Sequence, residues 1–222
     1  MKGLLVASSI GLGLASGSAF AADMAARAAP AIGATTPSPD ASPQTADAAD
    51  SSDLFNPQNF QLRFGAFAHG VGGVEQGTYD LNPEVVSPQL PFGQGQWWSV
   101  LIPRAHLGGL INLEGRTSAV YAGALWTIPL PHRFFTELFL DGEKNDGYLD
   151  NPPPGRAGLG CRYLFHAGGS VGYKLSAHWS AMFTFDHQSN GHGIFETECD
   201  GLGADTHNPG INDYGLRVGY SF

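Results

Sequence analysis

The chain has 222 residues, of which 14% are charged, 31 are glycine and 42% are hydrophobic. So low a charge density excludes a coiled coil, and a single apolar run at the extreme N-terminus excludes a helical membrane protein, whose spans need roughly 20 apolar residues each. A net charge of −9 with only 11 basic residues argues against a nucleic-acid surface. A glycine- and aromatic-rich all-β chain remains.

Residues 1–21 read as a signal peptide. Lys2 supplies the positive start, residues 3 to 18 are apolar or small, and Ala19-Phe20-Ala21 is an A-x-A cleavage site. Residues 22–57 are mostly Ala, Pro, Ser, Thr and Asp, with no aromatic before Phe55. Such a stretch buries too little apolar surface to offset its ordering entropy, so it is expected to be a disordered linker. From Asn59 onward aromatics and glycines alternate, and 58–222 is expected to be the folded part.

Eight segments are candidates for strands: 59–71, 77–88, 97–112, 116–129, 132–142, 158–175, 178–190 and 208–222. Phe60, Leu62, Phe64, Ala66 and Ala68 share one face of the first, opposite Gln61, Arg63 and His69. The second carries Pro83 and is the weakest. Val120, Ala122, Ala124, Trp126 and Ile128 line one face of the fourth. In the sixth, Leu159, Cys161, Tyr163, Phe165, Ala167 and Val171 oppose Arg162, His166, Ser170 and Lys174. Trp179, Ala181, Phe183 and Phe185 line the seventh. Tyr214, Leu216, Val218, Tyr220 and Phe222 line the last, against Asp213, Gly215, Arg217, Gly219 and Ser221.

The apolar faces are too many for a soluble sandwich, and the opposite faces carry Arg63, Glu137, Arg162, Lys174 and Arg217. A membrane barrel turns apolar residues to lipid and packs charges inside. The expectation is an eight-stranded antiparallel transmembrane β-barrel in the bacterial outer membrane. The terminal Phe222 resembles the signal read by the barrel assembly machinery.

Three patterns could mislead. Gly168-Gly169-Ser170-Val171-Gly172 matches G-x-S-x-G, but that motif needs a strand–turn–helix elbow, and Ser170 sits mid-strand with inward parity. His187, His192, Glu196 and Cys199 have no regular ligand spacing, so no metal is expected. The acidic run from Asp141 to Asp150 lacks the ligand ladder of a calcium loop and reads as an exposed hairpin loop. Cys161 and Cys199, the only cysteines, are expected to form a disulfide in an oxidising compartment, tethering the loop between the last two strands.

The informative segments are Phe185-Asp186-His187-Gln188-Ser189-Asn190-Gly191 and Asn208-Pro209-Gly210-Ile211-Asn212-Asp213-Tyr214. His187 and Ser189 share parity with Phe183 and Phe185, and Asn212 with Tyr214. Three polar side chains are thereby expected on the lipid-facing wall, where they are costly without a purpose. Asn212 lies ten residues before Phe222. At ~3.3 Å per residue and ~40° tilt, that is roughly 25 Å, the height of the apolar band. The cluster is expected at the outer interface. Ser189 needs a base, which His187 supplies, and the base needs an orienting partner, which Asn212 across the strand pair supplies. Asn190 is placed to donate to a developing oxyanion.

His-x-Ser-Asn followed by Asn-x-Gly-Ile-x-x-Tyr resembles the PagL family of outer-membrane lipid A 3-O-deacylases, with the specific motifs in 185–222. The resemblance implies a cofactor-independent esterase that removes the ester-linked 3-hydroxyacyl chain at position 3 of lipid A in lipopolysaccharide. It implies His187 as base, Ser189 as nucleophile and Asn190 in the oxyanion hole. The family has Glu where this chain has Asn212. An Asn can orient a His but cannot stabilise imidazolium as a carboxylate does. Asp213 has inward parity, and Glu196 or Glu198 in the loop are alternatives. A non-catalytic structural or adhesin-like barrel and a homodimer stay open on the sequence.

Overall fold

Side chains alternate across a strand with period two, so a segment that is apolar on one parity and polar or glycine on the other can separate two solvents. The computed structural model describes residues 54–93, 95–190 and 210–222. Eight strands form: β1 (Gln61–His69), β2 (Thr78–Gln89), β3 (Arg104–Asn112), β4 (Ala119–Pro129), β5 (Phe134–Asn145), β6 (Tyr163–Lys174), β7 (Trp179–Ser189) and β8 (Ile211–Ser221). Each pairs antiparallel with the next, and β8 pairs with β1 to close the barrel. Closure leaves no unpaired strand edge. Residues 1–21 and most of 22–57 lie outside the described residues. Phe55 already packs edge-on against Phe135, with ring centroids 5.7 Å apart, so ordered packing begins a few residues before position 58.

The expected parity holds on the outside. Leu62, Phe64, Val120, Leu138, Leu140, Val171, Phe183, Leu216 and Val218 are all exposed, Leu216 at 68%. In water so continuous an apolar surface would drive association; in a bilayer it is the solvated surface. Near the chain termini this wall ends in aromatic pairs, Phe134 with Tyr173 at 5.0 Å, Trp179 with Tyr220 at 4.9 Å and Phe60 with Phe222 at 6.0 Å. Near the opposite rim it ends in Phe185 with Tyr214 at 4.9 Å. These are the two interfacial girdles of a transmembrane barrel.

The lumen is filled by paired charges. Arg63 donates to Glu137 through both terminal nitrogens, at 2.9 and 2.7 Å. His106 bridges Glu84 and Asp141 at 2.6 Å each, and His166 Nδ1 bonds Asp141 at 2.7 Å. Arg217 donates to Asn82 at 2.6 Å, and its guanidinium lies 5.0 Å from the Phe67 ring. Gly108 leaves room for Tyr121, because a Cβ at 108 would collide with the phenol ring. That close approach lets Asn82 Nδ2 bond the Tyr121 hydroxyl at 2.9 Å.

Two details differ from the pattern read in sequence, and the weakest strand candidate forms in full. First, β3 starts at Arg104, and Trp97–Leu101 forms a 3-10 turn. Pro103 has no N–H to donate, and Trp97-Trp98 breaks the alternation. Second, β6 starts at Tyr163. Leu159 and Cys161 do not face lipid. They are buried with Ala157, Leu164 and Ile211 at the rim opposite the termini. Gly160, at φ 74°, turns the chain ahead of β6. Arg162 is therefore at that rim, where it donates to the carbonyls of Asn145 and Gly147 at 3.1 Å each, and not inside the barrel. That candidate, β2, runs unbroken through Pro83. Leu81 pairs with Ile111 and Glu84 with Gly108, so Pro83 falls opposite Gly109. Asn82 Nδ2 donates to the Gly109 carbonyl at 2.8 Å, supplying the donor proline lacks.

Candidate active site

The site lies where β7 ends and β8 begins, on the outer wall at the rim opposite the termini. His187 pairs across the sheet with Asn212 on β8 and with Ala167 on β6. Both sit on the face of Phe183, Phe185 and Tyr214, as their parity requires. His187 Nδ1 and Asn212 Oδ1 are 2.7 Å apart. An amide oxygen can only accept, so Nδ1 carries a proton, and in the neutral ring Nε2 is the basic nitrogen. The imidazole is thus held as the tautomer a general base needs.

Ser189 is half-buried on the same face, two positions beyond His187, and lies opposite Phe165 of β6. Among the described residues no hydrogen bond joins Ser189 to His187. Residues two apart on one face stand roughly 6.6 Å apart, and such catalytic contacts commonly close only with substrate present. Asn190 follows at the strand end and is half-buried.

Gly210 was legible only as part of a motif, and its job is spatial. A Cβ there would lie 2.5 Å from His187 Cε1 and 3.1 Å from Nε2, and its φ is 71°. Glycine at 210 both permits the left-handed turn into β8 and leaves the space the imidazole occupies. Ile211, the next residue, is 2% exposed and packs into the Leu159–Cys161 cluster, which fixes where β8 starts. That cluster gives Cys161 its place beside the site. No cysteine among the described residues is free; Cys199 lies outside them, as do His192, Glu196 and Glu198.

Asp213 cannot orient His187. It points into the lumen, where one oxygen accepts the Gly70 N–H at 2.7 Å and the other accepts Gln188 Nε2 at 2.9 Å. Ser170, the centre of the G-x-S-x-G pattern, is buried in the lumen and bonded to Thr184 at 2.9 Å.

A second cluster, His69, Asp80 and Asp213, lies inside the same rim with ligand-type atoms within 4.8 Å of one another. Its polar atoms are already engaged. His69 Nδ1 faces Asp80 at 2.8 Å and Nε2 faces Glu75 at 3.1 Å, while Asp80 also accepts from Asn112 at 2.8 Å. It reads as a structural brace. Glu75, in the loop between β1 and β2, also accepts the backbone N–H groups of Thr117 and Ala157 and the Arg156 guanidinium, all at 2.9 Å. Burial opposes its ionisation, but the bonds from His69, Ala157, Thr117 and Arg156 prevail and hold its carboxyl well below the usual range. One carboxylate thereby joins three loops at the rim that carries the site.

Residues 125–221 match the family model described as lipid A 3-O-deacylase (PagL), a span from the end of β4 through β8 that contains His187, Ser189, Asn190 and Asn212. No curated protein sequence matches the chain. The chain is similar to the crystal structure of the outer membrane enzyme PagL, at 14% identity and TM-score 0.47, covering 72% of this chain and 97% of that one. It is similar to the N-terminal β-barrel domain of Pseudomonas aeruginosa OprF, at 12% identity and TM-score 0.44, covering 74% and 98%. A de novo designed transmembrane β-barrel aligns at 11% identity and TM-score 0.45, covering 76% and 98%.

Proposed function

We propose that this chain is a bacterial outer-membrane esterase in which Ser189 and His187 hydrolyse the 3-linked 3-hydroxyacyl ester of lipid A, a reading supported by the match of residues 125–221 to the lipid A 3-O-deacylase (PagL) family model. The observation that carries this reading is the 2.7 Å bond from His187 Nδ1 to Asn212 Oδ1 on a wall otherwise turned to lipid. A polar pair beside the Phe185–Tyr214 aromatic contact that ends the apolar wall suits an ester at the boundary between sugar and acyl chains.

In this mechanism Ser189 Oγ attacks the acyl carbonyl while His187 Nε2 takes its proton. The carbonyl oxygen becomes an oxyanion and accepts a hydrogen bond from Asn190; one such donor is typically worth a factor of about 10² to 10³ in rate. The imidazolium then gives its proton to the departing sugar oxygen, leaving an acyl-serine. Water, deprotonated by the same Nε2, releases the 3-hydroxy fatty acid and restores Ser189. Asn212 holds the ring orientation throughout but adds no negative charge to the imidazolium, so turnover is expected to be slower than with a carboxylate at 212. Every step uses side chains alone.

The supporting parts follow the same reading. Residues 1–21 direct export, the stretch from 22 to the residues before Phe55 forms a linker, and Cys161 pairs with Cys199, the one other cysteine.

The test is mass spectrometry of lipid A from cells producing this chain or its Ser189→Ala form, each checked for insertion by heat-modifiable mobility. Loss of one 3-hydroxyacyl mass with the parent chain only is the expected result. Unchanged lipid A with a properly inserted parent barrel overturns the assignment and favours a non-catalytic barrel.

A further inference from the structure

The end of the lumen nearest the termini holds a cavity of about 120 Å³, far from His187 and Ser189 along the barrel. Its charged lining is unbalanced: Arg63, Arg104 and Lys174 face it, against the single carboxylate of Glu137. Arg63 is already matched with Glu137 by the two-pronged contact described above. Arg104 donates only to neutral acceptors, the backbone carbonyls of Ser87 at 2.7 Å and Asn59 at 2.5 Å. Lys174 is 5% exposed, and among the described residues its ammonium forms no ion pair; it lies 5.6 Å from the Phe55 ring. Two buried cations therefore share one cavity whose single carboxylate, Glu137, is already bonded to Arg63; Glu137 attracts both, but they repel each other and Arg63. An uncompensated buried charge is a large cost in a low-dielectric interior.

Asn56, Gln61, Gln89, Ser99, Thr127 and Ser180 add neutral polar groups to the lining, and one side of it is apolar. Phe55 and Phe135 meet edge-on, and Ile102, Val100 and Pro129 complete that side. A cavity of about 150 Å³ with apolar walls holds benzene. By that measure the present one, at about 120 Å³, takes a molecule of about five heavy atoms, with a flexible chain of about six as the upper limit. A cationic end and an apolar wall in one such space select a particular class of guest.

We propose that this cavity is a binding site for a short aliphatic monocarboxylate, its carboxylate held by Lys174 and Arg104 and its tail packed against Phe55 and Phe135. The site is separate from the ester-hydrolysing residues and does not depend on that reading. Inorganic phosphate and chloride satisfy the cations but not the wall; an alcohol satisfies the wall but not the cations.

The experiment is thermal unfolding of the full chain in detergent micelles at constant ionic strength, with butyrate, n-butanol, phosphate or chloride added in turn. Butyrate is expected to raise the midpoint saturably, with the other three giving smaller and non-saturating shifts. Lys174→Met is expected to weaken the butyrate response about tenfold or more, the loss of one charge-assisted hydrogen bond, and Lys174→Arg to keep it. An equal shift with chloride, phosphate or butanol overturns the proposal, and so does an unchanged butyrate response in Lys174→Met. Should the Met form fail to fold, the comparison of the four additives on the parent chain still decides.

Discussion

Asn212 and Asp213 are adjacent in the chain and belong to different chemistries. Asn212 faces the lipid side, half-buried, with its oxygen on His187. Asp213 faces the lumen, fully buried, and ties β8 to the loop after β1 through the Gly70 N–H. The same division runs down β7, where His187 and Ser189 face out while Asp186 and Gln188 face in. The lumen is crowded with carboxylates that brace the barrel, and among the described residues the outer wall has none beside its histidine. Strand parity separates the two populations completely: a carboxylate one residue away is as useless to His187 as one on another strand. The wall is where chemistry can be altered at little cost to stability, and the lumen is the reverse.

The comparison breaks most sharply at the nucleophile. Ser189→Ala is expected to reduce deacylation by at least about 10³-fold with the barrel intact, measured as lipid A mass shift against heat-modifiable mobility. The converse change is in the lumen. Arg63→Met leaves Glu137 without its cation, while Glu84 keeps His106 and Arg217, and is expected to destabilise the barrel by about 3–5 kcal/mol, read by denaturant unfolding in micelles. Activity per folded molecule should be unchanged. If it falls as well, wall and lumen are coupled and the division drawn here is wrong.

Two further changes sharpen it. Asn212→Glu is expected to speed turnover by about tenfold or more, since a carboxylate favours the imidazolium by a charge–charge interaction worth upward of about 1.4 kcal/mol at close range. A rate equal to or below that of the parent chain would show that Asn212 is already the better partner. Gly210→Ala should displace the His187 ring, lowering kcat more than stability, because the clash is with the base itself.

The smallest effect is one of pH. Glu75 ionises more readily folded than unfolded, so its contribution is complete above the unfolded carboxylate value, about pH 4.3. It fades as the pH falls below that value toward the depressed folded one. Amide exchange at Thr117 and Ala157 should accelerate across that acid range in the parent chain, and be fast and independent of pH there, after correction for intrinsic exchange, in Glu75→Gln.

Much of this was legible in the residues. Period-two alternation with apolar residues on one parity gave eight strands, their facing and the convergence of His187, Ser189 and Asn212, because parity is a local property of the backbone. Where local signals were read too literally they misled. Leu159 and Cys161 alternate like strand residues but fold under the rim, since Gly160 turns the chain before β6 and Ile211 offers them a partner from 50 residues away. Pro83 looks like a strand breaker, yet Asn82 supplies the missing donor from its side chain. The sequence by itself determined the barrel, its two faces and which polar residues stand together on the outer wall at one rim. Only the tertiary structure decided that Asn212 fixes the His187 tautomer, that Asp213 is committed to Gly70 and Gln188, and that Glu75 gathers three loops. Those contacts join segments far apart in the chain, and no periodicity along one strand records what another strand will bring against it.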